Sequence, residues 1–519
     1  MDVMDRIKNT AAASPARIAF QVGREVMTYG ELWERSGRLA MRLKGRIMTR
    51  KPIPVYGHKS PWMLVCFLAC VRAGVPYCPI DTSVPSGRVR MILQALDPEL
   101  ILTPVATAPA LEERQHKVLD LDALLTLSAA PSDDSPGGQP DEGWRVKGED
   151  IFYIIFTSGS TGEPKGVQIT AACLNHFLEW SCTLTENQDR ITCPVFLNQA
   201  PFSFDLSVMD LYTCLAMGGK LFCLEKETQS DYRKLLKALG ASEANVWVST
   251  PSFADLCLAD PGFNQTLLPG LDTFLFCGET LTNRTVKRLM KAFPNAQIYN
   301  TYGPTESTVA VTQVPVTGSM AEEIVPLPVG RPKPGTWIRI LDETGQEVAE
   351  GAYGEIVIYG DTVSPGYFEQ PALTAKVFFT ENTQPEAGAF PSALVRAYHT
   401  GDAGWMKDGM LYYGGRMDLQ VKFHGYRIEL EDIEANLCRL NGIRQAVVIP
   451  GRRAGKITSL NAFVVSGEEV PENAWKDSLK AYLPDYMIPK RIRRIDQIPM
   501  TANGKADRRK LEEIAHELL

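Results

Sequence analysis

Short β-branched and aromatic runs alternate with helical patterns and glycine-marked turns from the start of the chain to about residue 415. VYGHKS (55–60) is followed by an apolar helical stretch from Met63 to Gly74, and that by YCPID (77–81). IFYIIF (151–156), NVWVST (245–250) and TFLFCGE (273–279) repeat the motif, each ending in a polar or glycine-marked turn. Such alternation predicts parallel sheets covered by helices, with binding sites at the strand ends. A new pattern begins near Arg416–Asp418. LQVKFHGYRIE predicts paired strands, EDIEANL a helix with Ile433 and Leu437 on one face, and AVVIP and AFVVS two further strands. The expectation is an α/β protein with two domains. Residues 1–416 form a large N-terminal domain of helix-covered sheets, and residues 417–519 a small, mobile α+β domain of roughly a hundred residues.

Two stretches break the alternation. SAAPSDDSPGGQPDEG (128–143) and TENTQPEAGAFPS (380–392) are rich in Pro, Gly, Ser and acids and predict solvated loops. The longest apolar run, Trp62 to Val71, stops at Arg72, well short of the roughly 20 residues that span a bilayer, and predicts a buried helix. The N-terminus has early acids and no apolar segment of the signal-peptide kind, so a cytoplasmic location without membrane insertion is expected.

Charge and cysteine usage narrow the chemistry. Lys and Arg number 54 against 61 Asp and Glu, a formal charge of −7, which argues against a nucleic-acid or anionic-membrane partner. The 11 cysteines include no Cys-x-x-Cys pair and read as reduced core thiols. The six histidines form no HExxH-like cluster, which argues against a metallohydrolase.

The clearest chemical motif is FTSGSTGEPKGV (156–167), directly after a buried strand. The hydroxyls of Thr157, Ser158, Ser160 and Thr161, the permissive glycines 159, 162 and 166, and Lys165 have the composition of a loop that wraps a polyphosphate. It is not a Walker A loop, since Pro164 stands where the second glycine belongs and Gly166 follows the lysine. Neither serine has the flanking glycines of a nucleophile elbow.

At this loop the sequence resembles the adenylate-forming superfamily, which includes acyl-CoA and aryl-CoA ligases, firefly luciferase and the adenylation domains of nonribosomal peptide synthetases. The resemblance recurs in order through MTYGELWERS (27–36), AGVPYCPIDTSVPSGR (73–88), NTYGPTE (300–306), GEIVIYG (354–360) with SPGY, and YHTGD (398–402). It continues through GGRMDLQVKFHGYRIELEDIE (414–434), LPDYMIP (483–489) and NGKADRRKL (503–511), nearly the whole chain.

The resemblance implies ATP and Mg²⁺ as cofactors and assigns roles. Thr157 and Ser158 belong to the phosphate loop. Asn300, Thr301, Tyr302, Gly303, Pro304 and Thr305 line the adenine and α-phosphate region, with Glu306 beside Mg²⁺. Asp402 accepts hydrogen bonds from the ribose, with Tyr413, Gly414, Gly415 and Arg416 nearby. Lys505 is implied to be the catalytic cation between the attacking carboxylate and the α-phosphate. Asp418 matches the hinge about which the small domain turns, and Gly425 to Arg427 match the face it then offers to an incoming thiol.

For the substrate, NQAPFSFDLSVMDLY (198–212) is the informative segment. Amino-acid-activating members of the family carry an aspartate where Asp205 stands, to face the substrate ammonium; the alternative reading is a helix N-cap at FDLS. Leu206, Met209, Cys277, Thr301 and Val309 match the side-chain pocket, and a tight apolar lining favours a methyl side chain. Within the family, the segments around 198–212, 246–258, 273–281 and 300–312 resemble members that activate D-alanine and pass it to the phosphopantetheine thiol of a small carrier protein, on the route to D-alanylated teichoic acids. Cys277 is then implied to favour the D enantiomer. The polar segments 128–143 and 380–392 read as insertions relative to such members, and the carrier is expected to act in trans. A peptide-synthetase-type enzyme for glycine, L-alanine or serine, and a catalytically idle scaffold of the same fold, stay open on the residues alone.

Overall fold

The structure, a computed structural model, describes residues 1–105, 109–129, 142–159, 163–185, 193–324, 326–383, 393–417, 420–423, 425–453, 456–467, 471–500 and 506–517. The expected features at Ser160, Thr161, Gly162, Asp418 and Lys505, and most of the two polar segments, lie outside those residues.

Two largely parallel sheets dominate. One orders Val118–Leu119, Ile101–Leu102, Ile53–Gly57, Tyr77–Asp81, Ile151–Thr157 and Lys165–Thr170, the last pair antiparallel. The other runs from Arg331–Pro332 through Thr312–Pro315, Gln297–Tyr302, Thr273–Phe276, Val246–Ser249, Val195–Asn198, Lys220–Cys223 and Ile18–Val22 to Glu25–Thr28, parallel in the middle and antiparallel at both edges. Ile53–Gly57 and Tyr77–Asp81 are buried at every position, as expected where helices cover both faces of a parallel sheet and the sequence reads as a continuous apolar run.

The apolar stretch read as a buried helix is Pro61–Arg72, with Ser60 as N-cap and Pro at its first position. Every residue but Trp62 is buried, and it packs on Tyr29–Lys44, which begins with a capping box between Thr28 and Glu31. Arg72 ends the apolar helix inside the protein because its guanidinium donates to the Trp33 carbonyl and the Ser36 hydroxyl and stacks over the Trp33 ring at 3.7 Å. Among the described residues, no helix is long and apolar enough to cross a membrane.

The expectation of parallel sheets does not extend past residue 335. Thr336–Leu341, Gly354–Gly360, Ala393–Lys407, Phe378–Thr383 and Met410–Arg416 form a five-stranded antiparallel sheet. Residues 380–383, expected in a loop, are paired with Ala393–Arg396 in it, and residues 128 and 129 close the helix Leu121–Ala129. β-branched runs signal a strand without signalling its direction, which the connections decide.

From Gln420 onward the chain builds a separate core. The hairpin Gln420–Phe423/Tyr426–Glu429, the helix Leu430–Cys438 and the three-stranded sheet of Ile443–Arg453, Lys456–Ser466 and Arg491–Arg494 bury Val421, Ile428, Ile433, Leu437, Val448, Leu460 and Trp475 together. Ile433 and Leu437 share the buried face, as their spacing predicts. The protein is thus α/β, with a large N-terminal domain and a small C-terminal α+β domain.

Candidate active site

The site lies where the parallel sheets and the small domain meet, at the ends of Ile151–Thr157, Thr273–Phe276 and Gln297–Tyr302. Three hollows share their walls there. One is framed by Thr157, Ser158, Arg88, Tyr426 and Tyr486. The next holds Asp205, Cys277, Thr305, Val309, Asp402 and Lys422, and the third Asn300, Thr301, Tyr302, Leu327 and Tyr413. The middle hollow is narrow and mostly apolar in its lining, a form suited to a small ligand. Its position at strand ends is the one that open α/β sheets use for ligands.

Asp205 stands at the start of the helix Leu206–Ala216, but its carboxylate makes no capping bond, so the cap reading is excluded. Instead Oδ2 accepts a 2.6 Å hydrogen bond from the Thr305 hydroxyl, and the residue is 8% exposed. Beside it the Cys277 thiol donates to the Val309 carbonyl at 3.7 Å, and burial holds that thiol above its ordinary range. Cys277 is therefore a neutral, space-filling wall. Thr308 and Val309 both adopt positive φ, 60° and 70°, a strained conformation for β-branched residues that is concentrated at functional sites. Gly303 permits this fold-back, since a Cβ there would lie 2.5 Å from the Ala310 Cα. Leu206 also lines the hollow, whereas Met209 is buried in the core and Thr301 lines the neighbouring one, its hydroxyl donating to the Phe276 carbonyl.

Asp402, 2% exposed, receives the Tyr302 hydroxyl at 2.6 Å and the Arg416 guanidinium at 3.0 Å. The last pair is fixed by register, because Asp402 and Arg416 face each other across neighbouring antiparallel strands. Burial and the adjacent Asp402 carboxylate push the Tyr302 phenol well above its usual range, so it stays a donor. Asn300 is held by donation to the Pro328 carbonyl at 2.8 Å. Gly414 and Gly415 lie in the strand that carries Tyr413 and Arg416.

At the other end, the Thr157 hydroxyl is buried and has no partner among the described residues. Buried polar groups are almost always paired, so an orphan beside a cavity marks a place for a ligand's polar atom. Lys165, 9% exposed, reaches Glu306 at 3.9 Å and Glu429 of the small domain at 3.5 Å, and lies over the Tyr367 ring. Tyr367 donates to Glu306 at 2.8 Å. Glu306 is fully buried and is a single carboxylate; no cluster of three or more metal-type side chains occurs among the described residues. One carboxylate with phosphate oxygens is the donor set of Mg²⁺ that arrives with a nucleotide, so the residues fit that ion.

The small domain turns the hairpin tip into the cleft. Gly425 N donates to Glu279 at 2.6 Å, the Tyr426 ring lies 5.7 Å from Phe204, and Glu429 N donates to the Ser158 hydroxyl at 3.2 Å. Arg88 and Asp432 form a buried ion pair at 3.0 Å behind it. Of the face read from the sequence, Gly425 and Tyr426 are in the site; the Arg427 side chain and His424 lie outside the described residues.

Sequence reading missed Lys422, Glu279, Glu429 and Arg88. Lys422 Nζ sits 5.6 Å from both the Tyr302 and Tyr413 ring centroids. Its signal was the period-2 alternation of QVKF, which sends Lys422 to the face opposite Val421.

Residues 7–368 match the AMP-binding enzyme family and residues 432–505 its C-terminal domain. The chain is 46% identical over 522 residues to a D-alanine–D-alanyl carrier protein ligase of Bacillus licheniformis, with 99% of each chain covered. It is 43% identical to one of Bacillus velezensis, again with 99% of each covered. A solved NRPS protein containing adenylation and PCP domains, bound to a vinylsulfonamide inhibitor, superposes with a TM-score of 0.81 at 27% identity, covering 98% of this chain and 84% of that one. The Vibrio cholerae adenylation domain AlmE, with glycyl-adenosine-5'-phosphate, shares the fold with a TM-score of 0.78 at 22% identity, covering 99% and 98%. The chain belongs to the AMP-binding enzyme family and is an AMP-forming ligase.

Proposed function

We propose that this enzyme activates D-alanine with ATP as D-alanyl-AMP, releasing pyrophosphate, and then passes the D-alanyl group to the phosphopantetheine thiol of a separate carrier protein, for D-alanylation of teichoic or lipoteichoic acids. The observation that carries the reading is the buried Asp205 carboxylate set in a small hollow walled by Cys277 and Val309. A carboxylate there gives the ammonium of an amino acid a partner, and the wall leaves space for a methyl group. Fatty and aryl acids have no positive charge to place against Asp205. The near-full-length identity to ligases named for D-alanine and its carrier supports the same substrate.

In this reading the adenine lies along Asn300 to Thr305 and the ribose hydroxyls donate to Asp402, which Tyr302 and Arg416 hold in place. Tyr413, Gly414 and Gly415 border that region. Thr157, Ser158 and Lys165 face the phosphates, and Glu306 would hold Mg²⁺, which supplies charge neutralisation on the phosphate oxygens. Lys505 stands between the substrate carboxylate and the α-phosphate, where two anions must approach, and stabilises the charge of that transition state. The amino-acid carboxylate attacks the α-phosphate and pyrophosphate leaves. The thiol sulfur then attacks the acyl carbonyl and AMP leaves.

We place the domain boundary at residues 416/417 and the hinge at Asp418. Turning about it withdraws Lys505 and brings Gly425 to the cleft. The need for ATP suits the cytoplasm.

ATP–pyrophosphate exchange with D-alanine, L-alanine, glycine and serine tests the reading. D-Alanine is expected to give the fastest exchange. Cys277→Ala is expected to narrow its lead over L-alanine by roughly ten- to a hundredfold, the worth of one methyl-sized contact. Exchange with D-alanine no faster than with the other three contradicts the assignment.

A further inference from the structure

Glu279 is an acidic side chain whose hydrogen bonds join backbone amides of both domains at the cleft. Its Oε2 accepts from Ser252 N of the large domain at 3.0 Å, and its Oε1 from Gly425 N of the small-domain hairpin at 2.6 Å. Hydrogen bonds to a carboxylate are short and strong, and 2.6 Å lies at the strong end. The hairpin tip has little freedom around this contact. Gly425 has φ +84°, and a Cβ there would lie 2.4 Å from the Thr250 Cγ2, so the tip fits a notch formed by Thr250, Gly278, Glu279 and Phe204.

We infer that Glu279 is a positioning residue for acyl transfer and not for adenylation, by holding the Gly425 amide so that the hairpin frames the hollow where the thiol must meet the acyl group. The inference rests on the two-step reading above. The hairpin's other contacts to the large domain among the described residues, such as Tyr426 on Phe204, Glu429 on Ser158 and Lys165, and Lys422 beside Tyr302 and Tyr413, are made by other residues of the hairpin and do not hold the Gly425 amide. When the small domain instead presents Lys505, Gly425 leaves the notch and Glu279 keeps only the Ser252 amide, so the first step has no use for the Gly425 contact.

The two half-reactions separate the roles. Glu279→Ala and the isosteric Glu279→Gln are compared with the wild-type enzyme in D-alanine-dependent pyrophosphate exchange. Single-turnover transfer is then followed from enzyme-bound D-alanyl-AMP to the phosphopantetheine-loaded D-alanyl carrier protein of Bacillus licheniformis. Glu279 also borders the hollow of Asn300, Thr301 and Tyr302, so exchange is expected to slow somewhat in both variants, but by a factor several times smaller than the loss of transfer. The transfer rate is expected to fall roughly ten- to a hundredfold in Glu279→Ala, the effect of losing a hydrogen bond to a charged group, with no comparable change in the KM for the carrier. Glu279→Gln is expected to recover part of the rate, because its amide oxygen still accepts from Gly425. Equal loss of exchange and transfer makes Glu279 a structural residue and overturns the inference, as does unchanged transfer in Glu279→Ala. Absence of transfer by the wild-type enzyme instead contradicts the two-step reading on which it rests.

Discussion

Asp205→Asn is expected to lower kcat/KM for D-alanine in pyrophosphate exchange by about a thousandfold while the protein stays folded. A carboxylate about 4 Å from an ammonium contributes on the order of 4 kcal/mol at an effective dielectric of 20, and each 1.4 kcal/mol is tenfold. Asparagine keeps the size of the side chain and an oxygen for the Thr305 hydroxyl, so the 2.6 Å bond has a successor and the surrounding packing is undisturbed. The loss is then one of substrate charge recognition. The rate of exchange as a function of D-alanine concentration, with circular dichroism to verify folding, checks it. A loss below tenfold would show that the ammonium is held elsewhere.

Lys505→Ala is expected to lower adenylation at least a hundredfold, since removing one donor aimed at developing charge costs roughly 3 kcal/mol or more. Transfer from D-alanyl-AMP supplied in place of ATP is expected to proceed near the wild-type rate in the same variant, because the cation is needed only where carboxylate and phosphate meet. Rapid-quench assays of the two steps distinguish this from general damage, which would slow both.

How much of this was legible in the chain follows from which contacts are local. The strand at 151–156, the buried helix that runs Pro61–Arg72 and the start of the second core all announced themselves through runs of apolar residues with a fixed period. Asp205, Thr305 and Cys277 were legible as motif members, although 100 residues separate the first two, because each motif keeps its own local spacing. The antiparallel direction of the sheet from Thr336 was not, since pairing direction is a property of the connections and not of the strands. Arg88, Glu279 and Glu429 were not legible either. Arg88 reads as an ordinary helix-surface arginine until Asp432, 344 positions away, is brought against it. Glu279 follows a strand end in a turn, where an acid is unremarkable until a hairpin from another domain lays an amide on it. A side chain whose partner lies across a domain interface leaves no periodic trace.

Lys165 connects the phosphate loop to the small domain. In the arrangement described here it is paired with Glu306 and Glu429, all three buried, and the pairing satisfies a cation that would otherwise be costly to hold at that depth. The loop that carries it is the one whose composition first suggested phosphate binding, so the same charge is provided for when the hairpin is docked.

Whether Asp205 grips the substrate ammonium is tested by a crystal structure of the enzyme with a stable D-alanyl-AMP analogue. The analogue's ammonium is expected within about 4 Å of the Asp205 carboxylate, its methyl group against Cys277 and Val309, and its ribose hydroxyls on Asp402. An analogue bound with its ammonium remote from Asp205 would contradict it.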